Sequence, residues 1–184
     1  MLNRLAYLCS EVHNKRGQLH WTDSLQWSVR EGVLIFSGSD SIRDWYHDLK
    51  LWSVPSETGL GFIHAGFMEL AVGTFPQIKE TVLGKEHIHT VTGYSLGGSV
   101  ALLVAEVLKD VQVVTFGCPV TGTHDWARRY PHPVTRCRVA PDLIATPILG
   151  RVHVGEEVTL CGSWNPLYNH LHTLERNWND VRKV

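Results

Sequence analysis

Val91-Thr92-Gly93-Tyr94-Ser95-Leu96-Gly97-Gly98-Ser99 joins two apolar stretches of different period. Upstream, Ile88-His89-Thr90-Val91-Thr92 is short and rich in β-branched residues, as a buried strand requires. Downstream, Val100, Leu103, Val104, Val107 and Leu108 recur at helical spacing. Gly93-Tyr94-Ser95-Leu96-Gly97 at the junction is a G-x-S-x-G pattern in a strand-to-helix context, the setting of a nucleophile elbow. Gly93 and Gly97 carry no Cβ to clash where strand and helix close tightly. Ser95 between them is forced into a strained geometry that lifts its hydroxyl outward. The backbone N–H of Leu96 and the N-terminus of the new helix then face any oxyanion formed at Ser95. No G-x-x-x-x-G-K-[ST] and no G-x-G-x-x-G accompanies it, so a phosphate-binding loop is the weaker reading.

Working outward, Val111 to Phe116 is a continuous apolar run, expected for a parallel strand buried on both faces, and Gly117-Cys118-Pro119 stops it. Cys118 has no elbow and reads as a small buried thiol rather than a nucleophile. Val134 to Ala140 is the next strand, with Asp142 at its C-terminal end, 47 residues after Ser95. A carboxylate there suits the chain order Ser, Asp, His of a triad; Asp125, the rival, reads as a solvated helix cap. Upstream, Leu25 to Arg30 alternates and passes through Glu31-Gly32 into Val33-Leu34-Ile35-Phe36, a strand hairpin with a half-exposed first strand and a buried second. Leu2, Leu5, Ala6, Leu8, Cys9 and Val12 suit an amphipathic helix that ends before Gly17 and covers the sheet. Gly66 to Leu83 reads as a helix broken or kinked near Pro76 and ended by Gly84. Arg151 to Val154 and Val158 to Leu160 read as a hairpin around Gly155-Glu156. Asn165-Pro166 or Asn169 starts a final helix with Leu167, Leu171, Leu174 and Trp178 on one face.

Several of these motifs, in this order, resemble the class 3 lipase family, the fungal-type triacylglycerol lipases and related esterases. Phe36, Gly38, Ser39, Ser41, Trp45 and Leu49 match the family's F-R-G-[ST]-x-S strand end and the D/N-W and N/D-L pairs that follow. The resemblance continues through His64-Ala65-Gly66-Phe67, the elbow, Thr115 to Gly122, Arg138 to Ile144, Val152 to Val158 and Asn169-His170-Leu171, about residues 25 to 172 in all. It implies an α/β-hydrolase fold: a mostly parallel central sheet flanked by helices, in one compact domain spanning 1–184. Residues 1–24 form the N-terminal helix and its connection, and 40–52 a candidate lid. It further implies that Ser39 supplies a second oxyanion-hole amide beside that of Leu96. His170 corresponds to the family's triad histidine; His172 would point roughly 200° around a helix from it and cannot share that role. His153 matches a family histidine that is not the base. Departures are Ser37 where the family has Arg, Asn169 where it has Asp, and Thr173-Leu174 for an aromatic pair; the last two leave room for His172 as base. A missing Arg at 37 removes an ion pair that would brace that loop.

The catalytic residues expected are therefore Ser95, Asp142 and His170, with Ser39 and Leu96 as oxyanion hole and Trp45 and Tyr94 as substrate contacts. Ile42, Trp45, Leu49 and Trp52 make one aromatic and apolar stripe on a helix capped by Asp40 or Ser41, either a lid or ordinary core. The activity implied is serine ester hydrolysis on lipid or other acyl esters, with transient contact with a lipid interface. The alternatives are a phospholipase or acyltransferase of the same fold, or a binding module that keeps the scaffold without the chemistry.

Composition bounds the rest. The 184 residues are 43% hydrophobic and 19% charged, enough core for one domain, and the net charge of -1 gives no bias toward nucleic acid or anionic membrane. Eleven histidines are scattered without H-E-x-x-H or paired-Cys spacing, so no metal and no organic cofactor are expected. Cys9, Cys118, Cys137 and Cys161 form no C-x-x-C, and Met1 to Arg16 lacks a signal-peptide apolar core, which points to free thiols in the cytoplasm. No stretch approaches bilayer-spanning length, and no obligate protein partner is evident.

Overall fold

The computed structural model describes residues 1–22, 25–39, 52–82, 85–145 and 150–178. Trp45, the stripe it belongs to apart from Trp52, and Gly84 lie outside the described residues. A seven-stranded sheet runs in the order β1-β2-β3-β6-β7-β9-β11. Its strands are β1 (His20–Trp21), β2 (Gln26–Arg30), β3 (Val33–Phe36), β6 (Thr90–Tyr94), β7 (Gln112–Phe116), β9 (Val134–Ala140) and β11 (Glu156–Cys161). β3, β6, β7, β9 and β11 are mutually parallel, and β1 and β2 add an antiparallel edge. The fold is an α/β-hydrolase fold.

Both faces of this sheet are covered at its centre, which is why β3 and β7 read as apolar runs, whereas β9, nearer the edge, carries the partly buried Arg136 and Arg138. Along β3, Leu34 and Phe36 enter one core with Val91, Val113 and Val134, while Val33 and Ile35 enter the other with Val114, Phe116 and Val139. α1 (Leu2–His13) contributes Leu5, Leu8, Cys9 and Val12 to the second core, where Trp178 also lies. α2 (Ala65–Thr81), α3 (Leu96–Ala105) and α4 (His124–Arg129) lie with the first core, which takes Phe67, Ile78, Val100, Leu103 and Trp126. α2 runs through Pro76 as one helix. α3 is buried along its whole length, so its pattern shows no polar face.

The β2–β3 hairpin turns at Glu31 and Gly32 with φ of 53° and 73°, the positive values of a type I′ turn. β2 is more buried than its alternation implies, because β1 pairs on its outer side and α1 packs against it. The second expected hairpin does not form. β10 (Arg151–Val152) pairs with β8 (Gly122–Thr123) in a separate four-stranded sheet, ordered β10-β8-β5-β4 with β5 (Phe62–His64) and β4 (Ser53–Pro55). β11 instead joins the free edge of β9 in parallel, Val158 opposite Cys137. The chain between them crosses from one sheet to the other rather than folding back.

The last helix also departs from expectation. α5 (Pro166–Leu171) is short and is followed by a 3-10 turn at Thr173–Glu175. Asn165 caps it by accepting from the Tyr168 amide at 3.1 Å, with Pro166 in the first turn. Leu167 and Leu171 face outward, while Asn169 and His170 are the buried residues of this helix.

Candidate active site

Ser95 stands between β6 and α3 with φ 50° and ψ −122°, a conformation that costs a non-glycine residue of order 1–3 kcal/mol. The neighbouring glycines show what holds it there. A Cβ on Gly93 would lie 2.2 Å from the Gly97 carbonyl oxygen, and one on Gly97 would lie 2.1 Å from that of Ser37. The Ser95 amide still donates to Phe116 O at 2.8 Å, so the turn is tied into the sheet as it leaves it.

Two later segments bring the other groups. His170 Nε2 is 3.1 Å from Ser95 Oγ, and His170 Nδ1 is 3.1 Å from both carboxylate oxygens of Asp142. Asp142 follows β9, and its Oδ1 accepts from the amides of Ile144 at 2.8 Å and Ala145 at 3.1 Å. His153 steadies the same turn, its Nε2 donating to Ala145 O at 2.7 Å. Burial holds the His153 imidazole below its ordinary pKa, so the neutral ring fits this role. All three residues are nearly sealed: Ser95 keeps 1% exposure, Asp142 2% and His170 none.

The rivals stand elsewhere. His172 Nδ1 lies 2.6 Å from Glu175 Oε2, with its ring against Tyr168 at 4.1 Å. Asp125 is exposed at the start of α4 and pairs with Arg128 at 3.5 Å. Cys118 is buried, and burial pushes its thiol up to about 11, away from the thiolate a nucleophile needs.

Leu96 opens α3, so its amide belongs to the first turn, whose N–H groups have no partner within the helix. Ser39 follows Gly38, whose Cβ position is 2.8 Å from Tyr94 Cδ1 and 3.3 Å from Tyr94 O, beside the turn that carries Ser95. Ser37 is buried, its amide donating to Gln26 O at 2.9 Å and its hydroxyl accepting from Gln26 N at 3.3 Å. Those two bonds tie the loop to β2 where the family's arginine would make an ion pair. Tyr94, expected as a substrate contact, is 2% exposed. Its ring stacks on that of His170 with centroids 5.4 Å apart, and its hydroxyl donates to His170 O at 3.1 Å. Its side chain supports the histidine from behind.

Gly117 was legible only as a strand stop. Its φ is +56°, and a Cβ there would lie 3.0 Å from His170 Cε1 and 3.1 Å from Nδ1. The signal available was its place at the C-terminal end of the strand next to β6, where ligands gather in open α/β sheets. Among the described residues no group of three or more His, Cys, Asp or Glu side chains is placed to hold a metal ion. Among the same residues no helix is long and apolar enough to cross a membrane.

A family model described as "Lipase (class 3)" matches residues 33–148. Among curated proteins, the toxin TseL of Vibrio cholerae is 32% identical over 84 residues, covering 41% of this chain and 13% of its own length. A chloroplastic phospholipase A1 of Arabidopsis thaliana is 33% identical over 104 residues, 47% of this chain and 14% of its own. The chain thus spans about a seventh of the length of the curated relatives it matches. Among solved structures, a triacylglycerol lipase from Penicillium expansum superposes with a TM-score of 0.62 at 17% identity, over 88% of this chain and 78% of that one. The Lip2 lipase of Yarrowia lipolytica gives 0.62 at 16% identity, over 86% and 77%. At such identities the likeness is one of fold.

Proposed function

The chain belongs to the class 3 lipase family, and on that premise we propose that it hydrolyses lipid or other acyl esters through an acyl-enzyme on Ser95. One observation carries the reading: an imidazole lies 3.1 Å from the elbow hydroxyl through one nitrogen and 3.1 Å from a buried carboxylate through the other. Asp142 holds the proton on Nδ1, which leaves Nε2 free to take the proton of Ser95 as Oγ attacks the ester carbonyl. The Leu96 and Ser39 amides receive the oxyanion of the tetrahedral intermediate. His170 then gives its proton to the departing alcohol. Water, deprotonated by the same nitrogen, releases the acid and restores the serine.

The surroundings favour an apolar acyl substrate held at a lipid surface. Trp164 is 90% exposed. Leu143, Leu167, Tyr168 and Leu171 are also exposed, next to Asp142 or on the helix of His170. Aromatic and aliphatic side chains of this kind sit well at a lipid–water boundary. The plant phospholipase A1 among the relatives supports phospholipids as one substrate class. A cytoplasmic site of action belongs to the same proposal, and the free, buried thiols of Cys9, Cys118 and Cys137 support it.

The test is fluorophosphonate labelling together with a panel of triacylglycerol, phospholipid and soluble esters of graded chain length. Wild type is run beside Ser95→Ala, His170→Ala and His172→Ala, with water and alcohol as competing acceptors. Ser95→Ala and His170→Ala are expected to lose several orders of magnitude in kcat, and His172→Ala little. Activity in Ser95→Ala equal to wild type ends the hydrolase reading. Loss in His172→Ala but not in His170→Ala reassigns the base, and ester products in place of acids make the chain an acyltransferase.

A further inference from the structure

Asn169 immediately precedes His170, is wholly buried, and uses every hydrogen-bonding position of its amide. Nδ2 donates to Pro141 O at 2.8 Å and to Ser163 O at 2.7 Å. Oδ1 accepts from Ser163 N at 2.8 Å and from Ser163 Oγ at 3.1 Å. The partners fix which end is which, because two carbonyl oxygens can only accept and a backbone N–H can only donate. The side chain thereby joins three segments: α5 with His170, the residue before Asp142, and the loop that follows β11. Gly162 leaves the room, since a Cβ there would lie 2.3 Å from Asn169 Oδ1. Its amide adds a bond to Ala140 O at 2.7 Å, two residues before Asp142.

From this geometry we propose that Asn169 is a positioning residue that sets the His170–Asp142 hydrogen bond, and that an amide is required where the family resemblance leads one to expect a carboxylate. The proposal rests on the hydrolase reading above. A carboxylate at this position keeps the two acceptor contacts to Ser163 but turns a second oxygen toward two carbonyl oxygens. A buried charge facing two carbonyls, with two donors lost, is costly. It is relieved by protonation, which restores one O–H donor, or by the loop carrying Asp142 drawing away from α5.

The experiment compares kcat, KM and the rate of Ser95 labelling by a fluorophosphonate in wild type, Asn169→Asp and Asn169→Ala between pH 5 and 9. Alongside, the proton that His170 Nδ1 shares with Asp142 is followed by its downfield NMR signal. At pH 8 Asn169→Asp is expected to lose about 10²-fold in kcat, the scale of a small misplacement of catalytic groups, with KM unchanged. Its kcat relative to wild type rises as pH falls and the new carboxyl takes up a proton. Asn169→Ala brings no charge and remains informative if the Asp variant does not fold. It loses kcat by a factor that does not vary with pH, and its downfield signal shifts or broadens. Wild-type kcat in either variant at pH 8, or a pH-independent ratio for Asn169→Asp, overturns the role. Ser95→Ala in parallel separates the two levels: activity retained there ends the hydrolase reading itself. Activity lost there but kept in Asn169→Asp removes only the role of Asn169.

Discussion

At Gly117 the main chain turns with φ +56° directly beneath the imidazole, so backbone conformation and ring placement are a single constraint. An alanine would adopt a left-handed conformation at a cost of order 1–3 kcal/mol and would press its methyl group against His170. Two responses are open to the protein: the ring rotates away from Asp142, or the turn opens. Either way Gly117→Ala is expected to lower kcat more than its loss of thermal stability accounts for. Steady-state kinetics beside a melting curve checks this, and a variant that melts earlier yet turns over at the wild-type rate would show that the ring has room to spare. Ser95 is the contrasting case, because there the strained backbone belongs to the residue whose hydroxyl it lifts. Its neighbours Gly93 and Gly97 are held to glycine by carbonyl oxygens 2.2 and 2.1 Å from where a Cβ would be.

Among the elements, α5 shows how an apolar stripe can mislead. Leu167, Leu171, Leu174 and Trp178 lie at helical spacing, and the expected helix would bury them all. The helix stops at Leu171, Trp178 reaches the core from beyond a 3-10 turn, and the face that α5 turns inward is Asn169 and His170. Hydrophobic period tells which residues share a face, and the direction of that face is set here by a polar network. Leu167→Gln and Leu171→Gln should accordingly change unfolding free energy by about 0.5 kcal/mol or less, as surface substitutions do. If the lipid-facing role holds, the ratio of activity on emulsified ester to activity on soluble ester falls in both. A melting point lowered like that of a core variant would place these side chains against protein instead. The 151–160 region misled for a related reason: two strand-like runs separated by a glycine suit a hairpin locally, and only the free edge of β9 offered β11 a better partner. By contrast the β2–β3 hairpin and β7 were legible, because a tight positive-φ turn and an apolar run buried on both faces are local signals.

Across the whole molecule, Ser95 and Asp142 stand out in the sequence because each follows a recognisable strand, β6 and β9, whereas His170 lies within α5 and was singled out by the family resemblance. Their supports do not stand out: Tyr94, Asn169, Ser163, His153 and the Ile144 and Ala145 amides become partners only when the elements meet. The far end of α3 carries another such contact. Glu106 is 8% exposed, and its carboxylate accepts from Trp126 Nε1 on α4 and from Thr58 Oγ1 at 3.0 Å, linking α3 to the turn between β4 and β5. Burial pushes its carboxyl above the ordinary value, the hydrogen bonds from Trp126 and Thr58 draw it partly back, and the charge of Glu57 pushes it up again. The folded state therefore binds this proton more tightly than the unfolded chain does. Stability falls as pH rises through the ordinary carboxyl value of 4.5 toward the folded one, and at neutral pH the ionised group is a net cost. Glu106→Gln keeps an oxygen for Trp126 and an amide for the Thr58 hydroxyl while removing the charge. It should raise the melting temperature at pH 7, by about 2–4 °C for each kcal/mol recovered in a chain of this size. The gain should shrink to nothing as pH drops below 4.5, where wild type is protonated in both states. Melting curves of both proteins from pH 4 to 8 decide the matter: an offset constant with pH would mean that the amide repacks the contact, and a lower melting point at pH 7 would mean that the charged acceptor holds α3 and α4 together.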